Sequence, residues 1–130
     1  DVFRVGACRY AVCDLTAMAE ETHRFEARYL DSLVGDWPEQ RAIYQKRSPL
    51  LHADQIRCPV LFFQGTQDKV VPPEQTERMA AALRANGVPV EVRLFENEGH
   101  GFRNQASQID VLEETEAFFR LSMNLKNTAN

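Results

Sequence analysis

The chain has 130 residues, of which 44% are apolar and 26% are charged, as in an ordinary globular domain. Its net charge of −4 argues against binding to nucleic acid or to an anionic membrane surface, and no apolar run approaches the roughly 20 residues that span a bilayer. The sequence begins with Asp1 and carries no signal pattern, so we expect a piece cut from a longer protein that is not secreted.

The first predicted element is a strand. Val2–Val12 combines β-branched and aromatic residues with small ones, and it predicts a strand to about Cys8 followed by a loop to Asp14. Asp14 is a suitable N-cap for a helix that Gly35 would end. Residues at three- and four-residue steps predict one apolar face on this helix: Met18, Thr22, Phe25, Tyr29 and Leu33.

A polar connector follows, and we expect it to contain a short helix from Pro38 to Tyr44 and a second short element from Ser48 to about Ile56. The next stretch, Val60–Phe63, is a continuous apolar run between Pro59 and Gly65. Such a run is typical of a strand that is buried on both faces of a parallel sheet.

The second half of the chain alternates helix and strand. Pro73–Asn86 predicts a helix that Gly87 ends, and its buried face would consist of Thr76, Met79, Ala80 and Leu83. Val90–Phe95 alternates in polarity, as expected for a strand nearer the edge of a sheet. The last helix is predicted from about Ser107 to Leu125, with one face formed by Leu112, Thr115, Phe119 and Met123.

The order strand, helix, strand, helix, strand, helix predicts an α/β fold with three mostly parallel strands and flanking helices. In open sheets of this kind, ligands bind outside the carboxyl ends of the strands. Asp68 and His100 follow two neighbouring predicted strands, so both should lie at that edge of the sheet. An acid and an imidazole placed together are two of the three members of a nucleophile–histidine–acid triad.

The blocks QGTQDKVVP (64–72) and EGHGF (98–102) resemble the C-terminal part of the prolyl oligopeptidase family of serine peptidases. The similarity is strongest to its acylaminoacyl-peptidase and dipeptidyl-peptidase branches, and FEARYL (25–30) and RSP (47–49) also fit them. The resemblance implies the C-terminal half of an α/β-hydrolase fold, with Asp68 and His100 as catalytic residues. It also implies a short peptide substrate and no cofactor.

The family places its nucleophilic serine in a G-x-S-x-G turn, and none of the four serines here has that context. We therefore expect residues 1–130 to be part of a peptidase catalytic domain whose nucleophile lies elsewhere, so that this chain alone is inactive. The nearest imitation is Gly6-Ala7-Cys8, which lacks the second glycine. Cys8 is interpreted as a strand residue, because a strained nucleophile turn needs small neighbours.

The other titratable residues predict no second site. Glu96 and Glu98 are interpreted as solvated loop acids, and the three histidines have no spacing that suggests a metal site. Three cysteines without a C-x-x-C pair predict free thiols in a reducing compartment, and hence a cytoplasmic protein.

Two other functions remain open on the residues alone. An esterase or dienelactone-hydrolase-like enzyme would share the acid and histidine positions, although the long segment Ala17–Leu51 favours a peptidase. A non-catalytic binding module could use the edge of the first strand instead. That edge, Phe3–Cys8, is also expected to promote self-association of the isolated chain, because unpaired strand edges invite pairing.

Overall fold

The structure is a computed structural model that describes residues 2–22 and 29–125. Its elements follow one another in the order β1 (Gly6–Arg9), α1 (Leu15–Thr22), α2 (Tyr29–Leu33), α3 (Arg41–Arg47), a 3-10 helix (Pro49–Gln55), β2 (Val60–Gly65), α4 (Pro73–Ala85), β3 (Val90–Phe95) and α5 (Gln105–Ser122). None of the helices in these ranges has the length and apolar character that crossing a membrane requires.

The three strands form one parallel sheet in the order β1-β2-β3, which confirms the predicted α/β architecture. Val60 of β2 lies opposite Gly6 on one side and Val90 on the other. All six residues of β2 are buried, as its continuous apolar run predicts. In the edge strand β3, the residues from Val90 to Arg93 alternate between half-buried and exposed positions, Leu94 is exposed and Phe95 is buried. The carboxyl ends of the strands therefore meet at one rim.

Helices cover both faces of the sheet, because successive side chains of β2 point to opposite faces. On one face, Val60 and Phe62 pack with α4; the buried residues of this cluster are Cys13, Ala53, Val60, Phe62, Met79, Ala80, Leu83 and Val88. On the other face, Leu61 and Phe63 pack with Phe95 of β3 and with Val111 and Phe118 of α5. The sheet is held between two apolar layers, and its rim is left for polar residues.

The start of α1 and the end of α4 follow their sequence signals. Asp14 Oδ1 accepts hydrogen bonds from the backbone N–H groups of Thr16 (3.0 Å) and Ala17 (3.1 Å), so Asp14 caps α1 as predicted. The predicted buried face of α4 is confirmed at all four positions. Gly87 ends that helix with a φ of +73°, a backbone conformation that glycine adopts without strain.

Three details of the helix predictions are wrong. The apolar face predicted to run to Leu33 is confirmed at Met18, which is buried, but it is wrong at Tyr29 and Leu33, which are exposed. Phe25 and the side chain of Thr22 lie outside the described residues. The third helix begins at Arg41 rather than at Pro38, which lies in a turn. The buried face of α5 is rotated by about one residue, so that Val111 and Phe118 are buried while Leu112 is exposed. Of the predicted face, Phe119 still packs against this core.

Candidate active site

Asp68 lies in the loop that follows β2, and its side chain is completely buried. Oδ1 accepts hydrogen bonds from the backbone N–H groups of Val70 (2.9 Å) and Val71 (2.8 Å). Such a contact between an aspartate and the backbone two residues ahead stabilises a turn. One carboxylate oxygen is thereby fixed by the protein's own loop, and the other is left for a partner.

That partner is His100, in the loop that follows β3. Its Nδ1 lies 3.0 Å from Asp68 Oδ2, and its side chain is 38% exposed. A carboxylate oxygen accepts, so this contact keeps the proton on Nδ1 and leaves Nε2 as the basic nitrogen. No group in the described part of the chain hydrogen-bonds to Nε2. The structure thus brings together the two residues that the sequence predicts for the site.

The loops that carry Asp68 and His100 are joined directly through their backbones. The Gln67 N–H donates to the Glu98 carbonyl (2.9 Å), and the Thr66 N–H donates to the Phe95 carbonyl (3.1 Å). Where β2 ends, the chains approach so closely that a Cβ on Gly65 would lie 2.4 Å from the Glu98 carbonyl oxygen and 2.7 Å from that of Gly99. Glycine at position 65 is therefore required by the way the two loops meet.

We expect Gly65→Ala to push the His100 loop away from Asp68, because the added methyl group meets backbone atoms that no rotamer change can move. Overpacking of this kind costs about 1–3 kcal/mol, and chemical denaturation of the protein would measure it. Gly6→Ala is the matched control, since a Cβ there meets nothing within 4 Å in the described structure. A Gly65→Ala protein as stable as Gly6→Ala would contradict the steric argument.

Glu98 corrects a sequence prediction, because it is a buried structural acid and not a solvated one. Oε2 accepts from the backbone N–H of Arg103 (2.9 Å) and Oε1 from that of Asn104 (3.0 Å), and the Ser107 hydroxyl also donates to the carboxylate. These contacts close the loop that carries His100 onto the start of α5. The Arg103 N–H bond, and next the Ser107 hydroxyl bond, lower the pKa of Glu98 below its ordinary value.

The lowered pKa has a predictable effect on stability. Because the folded state holds the proton more weakly than the unfolded chain, ionised Glu98 stabilises the fold above the ordinary glutamate pKa, and this contribution is lost as the pH falls through the lowered pKa. We expect Glu98→Gln to reduce the free energy of unfolding at neutral pH, since its amide NH2 would face a backbone N–H. The difference from the wild type should shrink in acid. Urea denaturation across the pH range, with exposed Glu96→Gln as the control, would measure it; equal losses in both variants would refute a specific role.

A second buried polar contact supports Asp68 from within the sheet. Gln64, fully buried in β2, accepts from the Thr76 hydroxyl (2.8 Å) and donates through Nε2 to the Val71 carbonyl (3.1 Å). Val71 is one of the residues whose N–H groups hold Asp68. The sequence analysis does not single out Gln64. The signal that could have found it is a polar side chain in a strand whose other residues are apolar, apart from Gly65.

The remaining candidates do not join the site. Cys8 lies within β1 and packs against the buried cluster that contains Val60, Phe62 and residues of α4. Burial, and next the proximity of Cys58, raises the pKa of its thiol. A nucleophilic cysteine needs a lowered pKa instead. Burial likewise raises the pKa of Cys13 to about 12. Phe102 packs against Phe95, with ring centroids 4.9 Å apart. In the described ranges, no group of three His, Cys, Asp or Glu side chains could hold a metal ion.

Comparisons with known proteins find one matching family and several related peptidases. The model of the prolyl oligopeptidase family matches residues 1–126. The dipeptidyl aminopeptidase BIII of Pseudoxanthomonas mexicana is 38% identical over 123 residues, which are 91% of this chain and 18% of the relative. The acylamino-acid-releasing enzyme of Arabidopsis thaliana is 32% identical over 107 residues, which are 77% of this chain and 14% of the relative.

Among solved structures, a puromycin-hydrolyzing peptidase of Mycobacterium tuberculosis superimposes with a TM-score of 0.92 and 41% identity. The match covers 99% of this chain but 20% of that one. The chain thus spans 14% to 20% of the length of these three proteins. The three parallel strands with their helices are part of the α/β-hydrolase fold of such peptidases, as the sequence predicts. On the family match and these identities, the chain belongs to the prolyl oligopeptidase family.

Proposed function

We propose that this chain supplies the acid and the histidine of a serine-peptidase triad in a larger enzyme that hydrolyses short peptides by acyl transfer. The single observation that carries the proposal is the 3.0 Å contact between His100 Nδ1 and a buried Asp68 oxygen. The membership of the chain in a family of serine peptidases supports it. Asp68 and His100 are the catalytic residues of this proposal.

In the proposed mechanism, His100 Nε2 first takes the proton of a serine hydroxyl as its oxygen attacks the substrate carbonyl carbon. The protonated imidazole then gives that proton to the amine nitrogen as the C–N bond breaks and an acyl-enzyme forms. Water attacks the acyl carbon in the second half of the reaction, again with His100 as base. Asp68 Oδ2 holds the Nδ1–H throughout and stabilises the imidazolium.

We infer that the nucleophile and the oxyanion donors lie on polypeptide outside these 130 residues. The serines of the chain are Ser32, Ser48, Ser107 and Ser122. Ser48 is buried and donates to the Tyr44 carbonyl (2.8 Å), whereas the Ser107 hydroxyl donates to Glu98. Among the described residues, no hydrogen bond joins a serine to His100. Residues 1–130 are accordingly proposed to form the C-terminal portion of the catalytic domain and to be inactive by themselves.

The substrates and location of the whole enzyme are proposals of the same kind. Relatives named as a dipeptidyl aminopeptidase and an acylamino-acid-releasing enzyme support peptides with a free or an acylated amino terminus. The three cysteines are free thiols, which supports a reducing, cytoplasmic setting.

The test is a substrate panel followed by an affinity label. The whole protein should release p-nitroaniline from aminoacyl- and acylaminoacyl-p-nitroanilides. A peptidyl chloromethyl ketone should abolish this activity, because the nucleophilic Nε2 of His100 displaces chloride and forms an N–C bond. Mass spectrometry should find the label on His100 and not on His52, whose Nε2 contacts the Lys46 carbonyl at 2.9 Å. Labelling elsewhere, or no hydrolysis of either substrate class, would overturn the proposal.

We also propose that the isolated chain associates with itself through the first strand. β1 pairs with β2 on one side, and the described chain has no strand on its other side. Val2 and Phe3, just before β1, are 90% and 76% exposed. Static light scattering at high protein concentration should therefore detect dimers or larger species. Phe3→Lys should reduce association more than Tyr29→Lys, an exposed aromatic elsewhere; a clean monomer at every concentration would refute the proposal.

A further inference from the structure

Tyr10, the residue directly after β1, has an unusual backbone conformation. Its φ is +41°, in the left-handed region that non-glycine residues occupy rarely and bulky ones least of all. The sheet holds it there, because the Tyr10 N–H donates to the Phe63 carbonyl of β2 at 2.8 Å. Backbone strain that persists in this way concentrates at functional sites, so the direction in which Tyr10 projects its ring bears on function.

The ring of Tyr10 lies against the imidazole of His100. Their centroids are 4.7 Å apart, with an angle of 51° between the planes. The Tyr10 ring also contacts Phe102 in an edge-to-face arrangement with ring centroids 5.5 Å apart, and Phe102 in turn packs on Phe95 with centroids 4.9 Å apart. Phe95 belongs to the buried cluster that Leu61 and Phe63 form with Val111 and Phe118 of α5. A continuous row of aromatic rings therefore connects the buried core to the imidazole of His100.

Among the described residues, the imidazole of His100 has few other side-chain contacts that could fix the orientation of its plane. The neighbouring residues, Gly99 and Gly101, carry no side chains, and the imidazole is 38% exposed. The hydrogen bond to Asp68 fixes one atom of the ring, Nδ1, but it allows the plane to rock about that contact. The direction of Nε2 depends on the tilt of the plane.

We propose that Tyr10 is a positioning residue for the reaction, which sets the tilt of the His100 imidazole with its ring and so aims Nε2 at the nucleophile and the leaving amine. This inference rests on the proposed function of His100. The phenolic hydroxyl has no part in it.

Three substitutions of Tyr10 in the whole enzyme distinguish the effect of the aromatic ring on kcat from the effects of the hydroxyl group and of the strained backbone. Tyr10→Phe keeps the ring and should retain kcat within about twofold. Tyr10→Leu fills the space without a flat face, and misaligned groups cost up to about 100-fold, so kcat should fall roughly 10- to 100-fold with KM nearly unchanged. Tyr10→Gly removes the ring but accepts the positive φ without strain. It should be as slow as Tyr10→Leu, and its unfolding temperature should be no lower than that of Tyr10→Leu.

The label of His100 by a peptidyl chloromethyl ketone gives a second readout of the direction of Nε2, and its rate should fall in parallel with kcat in the leucine and glycine variants. A Tyr10→Leu enzyme at the wild-type rate, a Tyr10→Phe enzyme as slow as leucine, or a Tyr10→Gly enzyme with full activity would each overturn the inference. His100→Ala is assayed beside them. If it keeps its rate, the proposed function fails and this inference with it; if it collapses while Tyr10→Leu stays fast, only the inference fails.

Discussion

Replacing His100 with alanine should lower kcat of the whole enzyme by roughly a million-fold, the loss that a triad histidine causes when it is removed. The reason is that Nε2 moves the proton in both halves of the proposed reaction, first from the nucleophile and then from water. KM should change far less, because the imidazole mainly stabilises transition states. Residual hydrolysis would come from substrate binding and from the oxyanion donors.

The matched control is His52→Ala. This histidine lies on the 3-10 helix and contacts the Lys46 carbonyl through Nε2 at 2.9 Å. Its replacement should leave kcat within about twofold, since surface substitutions away from a site rarely matter. Hydrolysis of the best p-nitroanilide in the panel measures both variants. If His100→Ala retains even a hundredth of the wild-type rate, His100 is not the general base.

Much of the fold could be predicted because its signals are local. A continuous apolar run between Pro59 and Gly65 has few interpretations other than a strand buried on both faces, and β2 is that strand. The face of α4 was predictable for a similar reason, since its apolar residues repeat with the period of a helix. α5 has apolar residues on several sides, so the face that packs on Phe63 and Phe95 is decided by the sheet.

In the site, too, features with local sequence signals could be predicted and features that depend on tertiary packing could not. Asp68 and His100 could be placed together because both follow strands of a parallel sheet, and those ends share one rim. Glu98 could not be recognised as a buried acid, because its partners are N–H groups in the turn into α5 whose direction depends on tertiary packing. Tyr10 was missed for the same reason, since its positive φ has no sequence signature in a tyrosine.

Gln64 is an intermediate case. A polar residue in a buried strand indicates a hydrogen-bonded role on composition alone, because a buried amide without partners is costly. The sequence does not reveal that its partners are Thr76 and the carbonyl of Val71, and hence that it holds the turn around Asp68. The residues that carry the chemistry can therefore be predicted from sequence more readily than the residues that hold them in place.

The second large effect is expected for Asp68→Asn, which should lower kcat roughly 10⁴-fold with little loss of stability. The introduced amide can keep its oxygen on the N–H groups of Val70 and Val71, so the turn survives. Its NH2 group then replaces the carboxylate Oδ2 and faces His100 Nδ1. A donor at that position requires Nδ1 to accept, which moves the proton to Nε2, and a protonated Nε2 cannot take the proton of a nucleophile.

Two further variants test this explanation. Asp68→Ala also leaves the two backbone N–H groups without their acceptor, at about 1–3 kcal/mol for each group that stays buried, so it should be both inactive and less stable. Asp14→Asn makes the same change in the loop between β1 and α1, where asparagine can still cap α1, and should remain active. Activity assays paired with thermal unfolding distinguish Asp68→Asn, Asp68→Ala and Asp14→Asn. If Asp68→Asn stays within tenfold of the wild type, or if Asp14→Asn is equally impaired, the tautomer of His100 is not what Asp68 controls.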